Sequence, residues 1–86
     1  MTTMVDPAHP GETLRECIAG EGLTVTGAAE RLAISRATLH RLLAGQTGIT
    51  AAHALSFERC GWSNAEFWMR RQAAYDLALA RRESAA

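Results

Sequence analysis

Val25 to Ile49 reads VTGAAERLAISRATLHRLLAGQTGI, and this stretch decides the fold. Its apolar residues fall at Ala28, Leu32, Ile34, Leu39 and Leu42. Those are the positions that two helices crossing at a steep angle must bury against each other and against the rest of a small core. Ala29 stands where the two helices come closest, and that contact requires a small side chain. The pattern predicts a helix-turn-helix unit over 25–45 with its second helix exposed.

Outward from that unit, cap and stop signals divide the chain into five helices. His9-Pro10-Gly11-Glu12 opens the first, with Pro10 suited to the first turn and Glu12 to the positive end of the helix dipole. Leu14, Cys17 and Ile18 give this helix one buried face, and Gly20 and Gly22 stop it. Thr24 caps the second helix, which runs to about Leu32. Ser35 caps the third, Arg36 to Ala44, which ends at Gly45 in the manner of a left-handed C′ residue. Thr50 caps the fourth, with Ala51, Ala54, Leu55 and Phe57 as its apolar residues and Gly61 as its end. Ser63-Asn64-Ala65-Glu66 has the form of a capping box. The fifth helix, over 64–83, carries Phe67, Trp68, Met69, Tyr75, Leu77 and Leu79 and frays at Glu83 to Ala86. Residues 1–8 carry no periodic pattern and read as a flexible tail, so 9–83 is expected to be a single domain.

Composition bounds the function. The chain has 86 residues, 48% hydrophobic and 21% charged, with no formal net charge. A domain this short buries only about 60% of the surface its unfolded chain exposes, which makes self-association plausible. No apolar run approaches the roughly 20 residues that cross a bilayer, and Met1 to Pro10 has neither the basic flank nor the apolar segment of an export signal. The cytoplasm is therefore the expected compartment, with no membrane partner. Cys17 and Cys60 match no zinc spacing and read as small hydrophobes near the core, with a disulfide or redox switch as the lesser alternative. There is no HExxH, no glycine-rich phosphate loop and no paired-carboxylate motif, and the three histidines are His9, His40 and His53. The expectation is no enzyme, no metal and no cofactor.

Zero net charge argues at first against nucleic acid, whose usual footprint is a basic patch. The distribution reverses that judgement. Between Arg31 and Phe57 there is no Asp or Glu, while Arg31, Arg36, His40, Arg41 and His53 fall inside the window. A neutral protein can still present one positive face. All nine basic residues are arginine, whose guanidinium can fork onto guanine or phosphate.

With the helices placed, the chain resembles the HigA-type antitoxins of the Xre/Cro helix-turn-helix family. The likeness runs from about His9 to Ala80. Its segments are HPGETLRE at 9–16, SRATLHRLLAG at 35–45, GIT at 48–50 and EFWMRRQAAYDLALA at 66–80. The last is the most discriminating, with Trp68, Gln72, Tyr75, Asp76 and Leu77 at a spacing that a generic Cro-like domain has no reason to share. Two positions depart from the family's pattern. Ala33 stands at a tight turn that often holds Gly, and Arg71 where an apolar residue is more usual. The resemblance implies an all-α, five-helix, Cro/lambda-repressor-like DNA-binding domain. It also implies a homodimer that represses its own toxin-antitoxin operon, and that neutralises a cognate mRNA-cleaving toxin.

On that footing the third helix is the recognition helix. Leu39, Leu42 and Leu43 face inward, and the helical period turns Arg36, Ala37, His40 and Arg41 outward. Arg36 is the best candidate for forking onto guanine O6 and N7, Ala37 for touching a thymine methyl, and Thr38 for offering a hydroxyl to a base or phosphate. Phosphate contacts are expected from Thr26, Ser35, Arg41, Gln46, Thr47 and the backbone amides of Thr50 and Ala51, with His40 adding a hydrogen bond or a charge. His53 reads as a satisfied, partly buried histidine, and Arg15, Arg31 and Arg59 as solvated or ion-paired.

The aromatic group Trp62, Phe67, Trp68 and Tyr75 reads first as core. Trp62, Trp68, Gln72, Tyr75 and Leu79 are nevertheless candidates for dimer or partner contact, because one small core does not obviously cover the whole fifth helix. A twofold contact there would set two recognition helices about 34 Å apart on a palindromic operator. Alternatives are a solitary regulator without a toxin, and an interaction module that has lost DNA affinity. Ala33 and the neutral charge favour the latter mildly; Arg36, Thr38 and Arg41 oppose it.

Overall fold

The computed structural model describes residues 8–85; the expected tail falls almost wholly outside them. Among the described residues there are five helices and no strand: α1 (Pro10–Gly20), α2 (Val25–Leu32), α3 (Arg36–Leu43), α4 (Ala51–Arg59) and α5 (Ala65–Ala85). The all-α, five-helix expectation holds.

Most ends are set by the residues the sequence singles out. Thr24 Oγ1 accepts from the Gly27 amide at 3.0 Å, and Ser35 Oγ from the Thr38 amide at 3.0 Å. Gly45 and Gly61 take φ of +74° and +83° past the ends of α3 and α4. Ala33 ends α2 in the left-handed region (φ 60°, ψ 40°), the conformation its turn position demands. For a residue with a Cβ this strain is on the order of 1 kcal/mol.

Three local expectations need correction. The cap of α5 is Asn64, whose Oδ1 accepts from the Phe67 amide at 2.7 Å. Ser63 cannot cap, because a cap residue is extended and Ser63 has φ +65°. The α5 helix extends to Ala85, past the expected end at 83. On α4, Ala51 and Leu55 face solvent, and its buried side chains are Ala54 and Phe57.

One core gathers side chains from every helix. Leu14 and Ile18 of α1, Ala28, Ala29 and Leu32 of α2, and Leu39, Leu42 and Leu43 of α3 meet Ile49, Ala54, Phe57, Trp62 and Trp68. Ile34, expected in this set, is half-buried and packs against its edge. Both α1 and α2 pack on α3, while α5 lies across α4 and α1.

The start of α1 is fitted to the end of α3. His9 Nδ1 accepts from the Gly11 amide at 3.1 Å, so an imidazole caps this helix. A side chain at Gly11 would collide with the Leu42 carbonyl, so glycine permits the close approach. Cys17 and Cys60 are free and half-buried. Burial, and then Glu16 and Glu21, push the Cys17 thiol up. No helix among the described residues is long and apolar enough to cross a membrane.

Candidate nucleic-acid interface

Three leucines fix the orientation of α3. Leu39, Leu42 and Leu43 are buried, and the period of the helix puts Arg36, Ala37, His40 and Arg41 on the exposed side. Arg36 has no partner among the described residues. Thr38, half-buried, has its Oγ1 in a hydroxyl–hydroxyl hydrogen bond with Ser35 Oγ at 2.9 Å and accepts from Arg41 Nη2 at a longer 3.4 Å. Ser35 accepts from the Thr38 amide with the same oxygen. One proton of this hydroxyl pair is therefore shared between the two side chains.

The flanks carry the remaining candidates. Thr26 is the second residue of α2 and exposed, beside first-turn amides that have no intrahelical acceptor. Gln46 and Thr47 are exposed in the loop after α3. Thr50 is the N-cap of α4, but its amide is already used: it donates to His53 Nδ1 at 3.2 Å, while Thr50 Oγ1 accepts from the His53 amide at 3.2 Å. This reciprocal box occupies the Thr50 amide, one of the two expected to meet a phosphate, and leaves Ala51 as the other. It also gives His53 its role. An accepting Nδ1 requires the neutral ring, and burial lowers the His53 pKa in the same direction.

Electrostatics keep the face of α3 positive. Neither α3 nor the segments beside it, residues 32–56, contain an acid. Arg31 is an ion-pair partner of Glu21, and Arg59 donates to Ser56 Oγ at 3.1 Å, whereas Arg36 has neither kind of contact. Among the described residues no group of three or more His, Cys, Asp or Glu could hold a metal ion.

The second set of candidates divides. Trp62, Trp68 and Gln72 are 5%, 0% and 8% exposed, so they face the chain's own interior and offer no surface to a partner. Trp68 stacks edge-on to Phe57 with ring centroids 4.8 Å apart, and its Nε1 donates to the Trp62 carbonyl at 2.6 Å. Gln72 Oε1 accepts from the buried Ile49 amide at 2.8 Å, and its Nε2 donates to Asp76 at 2.9 Å. That loop amide needs an acceptor, and Gln72 supplies it from α5; this is why a glutamine is buried.

Tyr75 and Leu79 stay half-exposed, and Tyr75 meets the edge of His9 at 5.9 Å. Both line an open cavity of about 200 Å³ between α5, the start of α1 and the loop after α3. The sequence reading missed that Leu77 and Met69 are the solvent-facing apolar residues of α5, at 50% and 37% exposure. Arg71, unusual at its position, lies over the Phe67 ring at 5.2 Å, so its cation covers an aromatic face.

No protein-family model matches this chain. Individual proteins do. Virulence-associated protein A′ of Dichelobacter nodosus is 37% identical over 75 residues, 86% of this chain and 65% of that protein. This chain thus spans just under two thirds of that relative. Among solved structures, an addiction module antidote protein of the HigA family from Coxiella burnetii superposes with a TM-score of 0.85 at 33% identity, over 94% of this chain and 89% of the other. The antitoxin HigA of Pseudomonas aeruginosa, solved with the higBA promoter, gives 0.85 at 34% identity, over 92% and 87%. The likeness runs through sequence and backbone over nearly the whole described chain, and on it this chain belongs to the HigA family of antitoxins.

Proposed function

We propose that the chain is a DNA-binding antitoxin of the cytoplasm, acting as a single domain over 9–83. As a homodimer it represses the operon that encodes it, and it neutralises a cognate mRNA-cleaving toxin. One observation carries the DNA half: α3 presents Arg36 and Arg41 outward from a leucine-anchored inner face, in a segment free of acids. That a family member was solved with promoter DNA supports it. The N-terminal half of α3 enters the major groove, Arg36 forks onto guanine and Ala37 lies against a thymine methyl. Thr26, Gln46, Thr47 and the Ala51 amide hold phosphates on either side, and His40 flanks them. The toxin half rests on family membership.

The twofold contact falls on the outer part of α5, where Leu77 and Met69 are exposed and Tyr75 and Leu79 half-exposed. In the dimer we propose, two recognition helices stand about 34 Å apart, one turn of a palindromic site.

Fluorescence anisotropy on the chain's own upstream DNA tests the proposal. Arg36→Ala weakens specific binding by about 1–3 kcal/mol and changes binding to random duplex far less. Equal losses on both duplexes refute base reading by Arg36. For the toxin half, the product of the adjacent reading frame co-purifies with the chain; two proteins that stay separate remove that half.

A further inference from the structure

Tyr75 and Leu79 continue the line of the buried Trp68 and Gln72 along α5, whereas Leu77 sits about 200° round the helix from each of them. The outer half of α5 therefore has two separate faces. Leu77 stands on the one turned from the core; Tyr75 and Leu79 stand on the other and line the open cavity between α5, the start of α1 and the loop after α3. Its volume of about 200 Å³ is below the roughly 300 Å³ at which small-molecule pockets begin, and leaves room for one long side chain. Asp76 is the only acid or arginine on the cavity wall. Gln72 Nε2 donates to its Oδ1 at 2.9 Å and so holds the carboxylate, while Oδ2 has no partner among the described residues. Glu12, not itself on the wall, adds a second negative group 3.9 Å from His9 Nε2. The start of α1 sets no donor against a cation here: Pro10 has no amide hydrogen, and Gly11 and Glu12 give theirs to His9.

We infer that this cavity receives a lysine or arginine side chain of the mRNA-cleaving toxin, with Asp76 as its counter-ion and Tyr75 and Leu79 along its stem. The inference rests on the toxin half of the proposed function. A protein that cleaves RNA holds its phosphates with cations, so its surface carries the groups that a carboxylate pairs with. An arginine can fork onto Asp76 and lay its plane against the Tyr75 ring. The toxin then occupies the Tyr75 and Leu79 face, and the twofold contact is left to the Leu77 face. Dimer and toxin complex coexist on one helix.

The test is calorimetric binding of the full chain to the product of the adjacent reading frame at low and high salt, with sedimentation equilibrium and thermal melting of the free chain. Asp76→Asn keeps an oxygen for Gln72 and removes the charge. It weakens the complex about tenfold and flattens its salt dependence, while the free chain's dimer and melting midpoint stay at parent values. Leu77→Glu, on the other face, dissociates the dimer and leaves the affinity per chain near the parent value. Parent affinity with parent salt dependence in Asp76→Asn overturns the site. A dimer lost in that variant gives the cavity to a second copy and overturns the occupant. Should Asp76→Asn melt early, Leu79→Arg and Leu77→Arg decide: a rival cation at the cavity weakens the complex and one on the opposite face does not, and equal effects overturn the inference. A parent chain that binds no toxin contradicts the proposed function itself, and the occupant with it, an outcome distinct from the others.

Discussion

Helices α3 and α5 divide their surfaces in opposite ways. In eight residues, α3 buries three leucines and turns a polar, acid-free face outward. In twenty-one residues, about 31 Å of helix, α5 buries only Trp68 and Gln72, both in its first half. The core fixes where α3 points and therefore where its arginines stand. The same core holds only one end of α5, and the rest is surface with exposed leucine and methionine. A recognition element has to be rigid on one side, whereas an assembly element needs area to spare.

The comparison breaks most readily at Trp68. Replacing it with alanine removes a fully buried indole stacked on Phe57 and Phe67. The loss is about 3–5 kcal/mol, much of what a domain this size has. Urea unfolding reads it; a loss under about 1 kcal/mol means that the first half of α5 is not structural. Truncating from Trp68 onward therefore unfolds the protein and says nothing about dimers.

Leu77→Glu puts the question to the outer half instead. Monomer stability stays within about 0.5 kcal/mol, as for other surface changes, while sedimentation equilibrium shows the dimer dissociating. An unchanged dimer moves the twofold contact off α5. Gln72→Leu lies between the two halves. It deprives the buried Ile49 amide of its acceptor and lowers stability by about 1–3 kcal/mol, with that amide gaining hydrogen exchange. Protection that survives would mean that the loop after α3 is held by something other than α5. The smallest effect belongs to the entry of α3: Ala33→Gly relieves the positive φ and raises stability by about 0.5 kcal/mol, read as a higher melting midpoint. A lower midpoint would contradict the strain.

Much of this contrast is legible in the sequence, because α3 is governed by near neighbours. Thr24, Ser35 and Thr50 announce their helices with oxygen caps, and the leucine spacing assigns the inner face. The exceptions have physical reasons. His9 caps α1, and His53 completes the box of Thr50, with ring nitrogens, which lie outside the Ser, Thr, Asp and Asn preference that identifies caps. The hydroxyl pair of Ser35 depends on Thr38, one turn later in the helix, a contact that residue types alone do not reveal. On α5 the difficulty is distance. Gln72 reads as a surface residue until the Ile49 amide, 23 positions earlier, is brought against it. Two tryptophans in a short chain suit a core and an interface equally, and only the packing of Phe57 between them decides.

The placement of charge has one more consequence. A chain with no net charge, whose acids all lie outside residues 32–56, exerts little monopole attraction on a polyanion and behaves at long range as a dipole. A field turns such a body before it draws it in. At low ionic strength, where the Debye length is about 30 Å at 0.01 M, encounters with a polyanion are biased toward arriving α3 first, a gain in orientation more than in frequency.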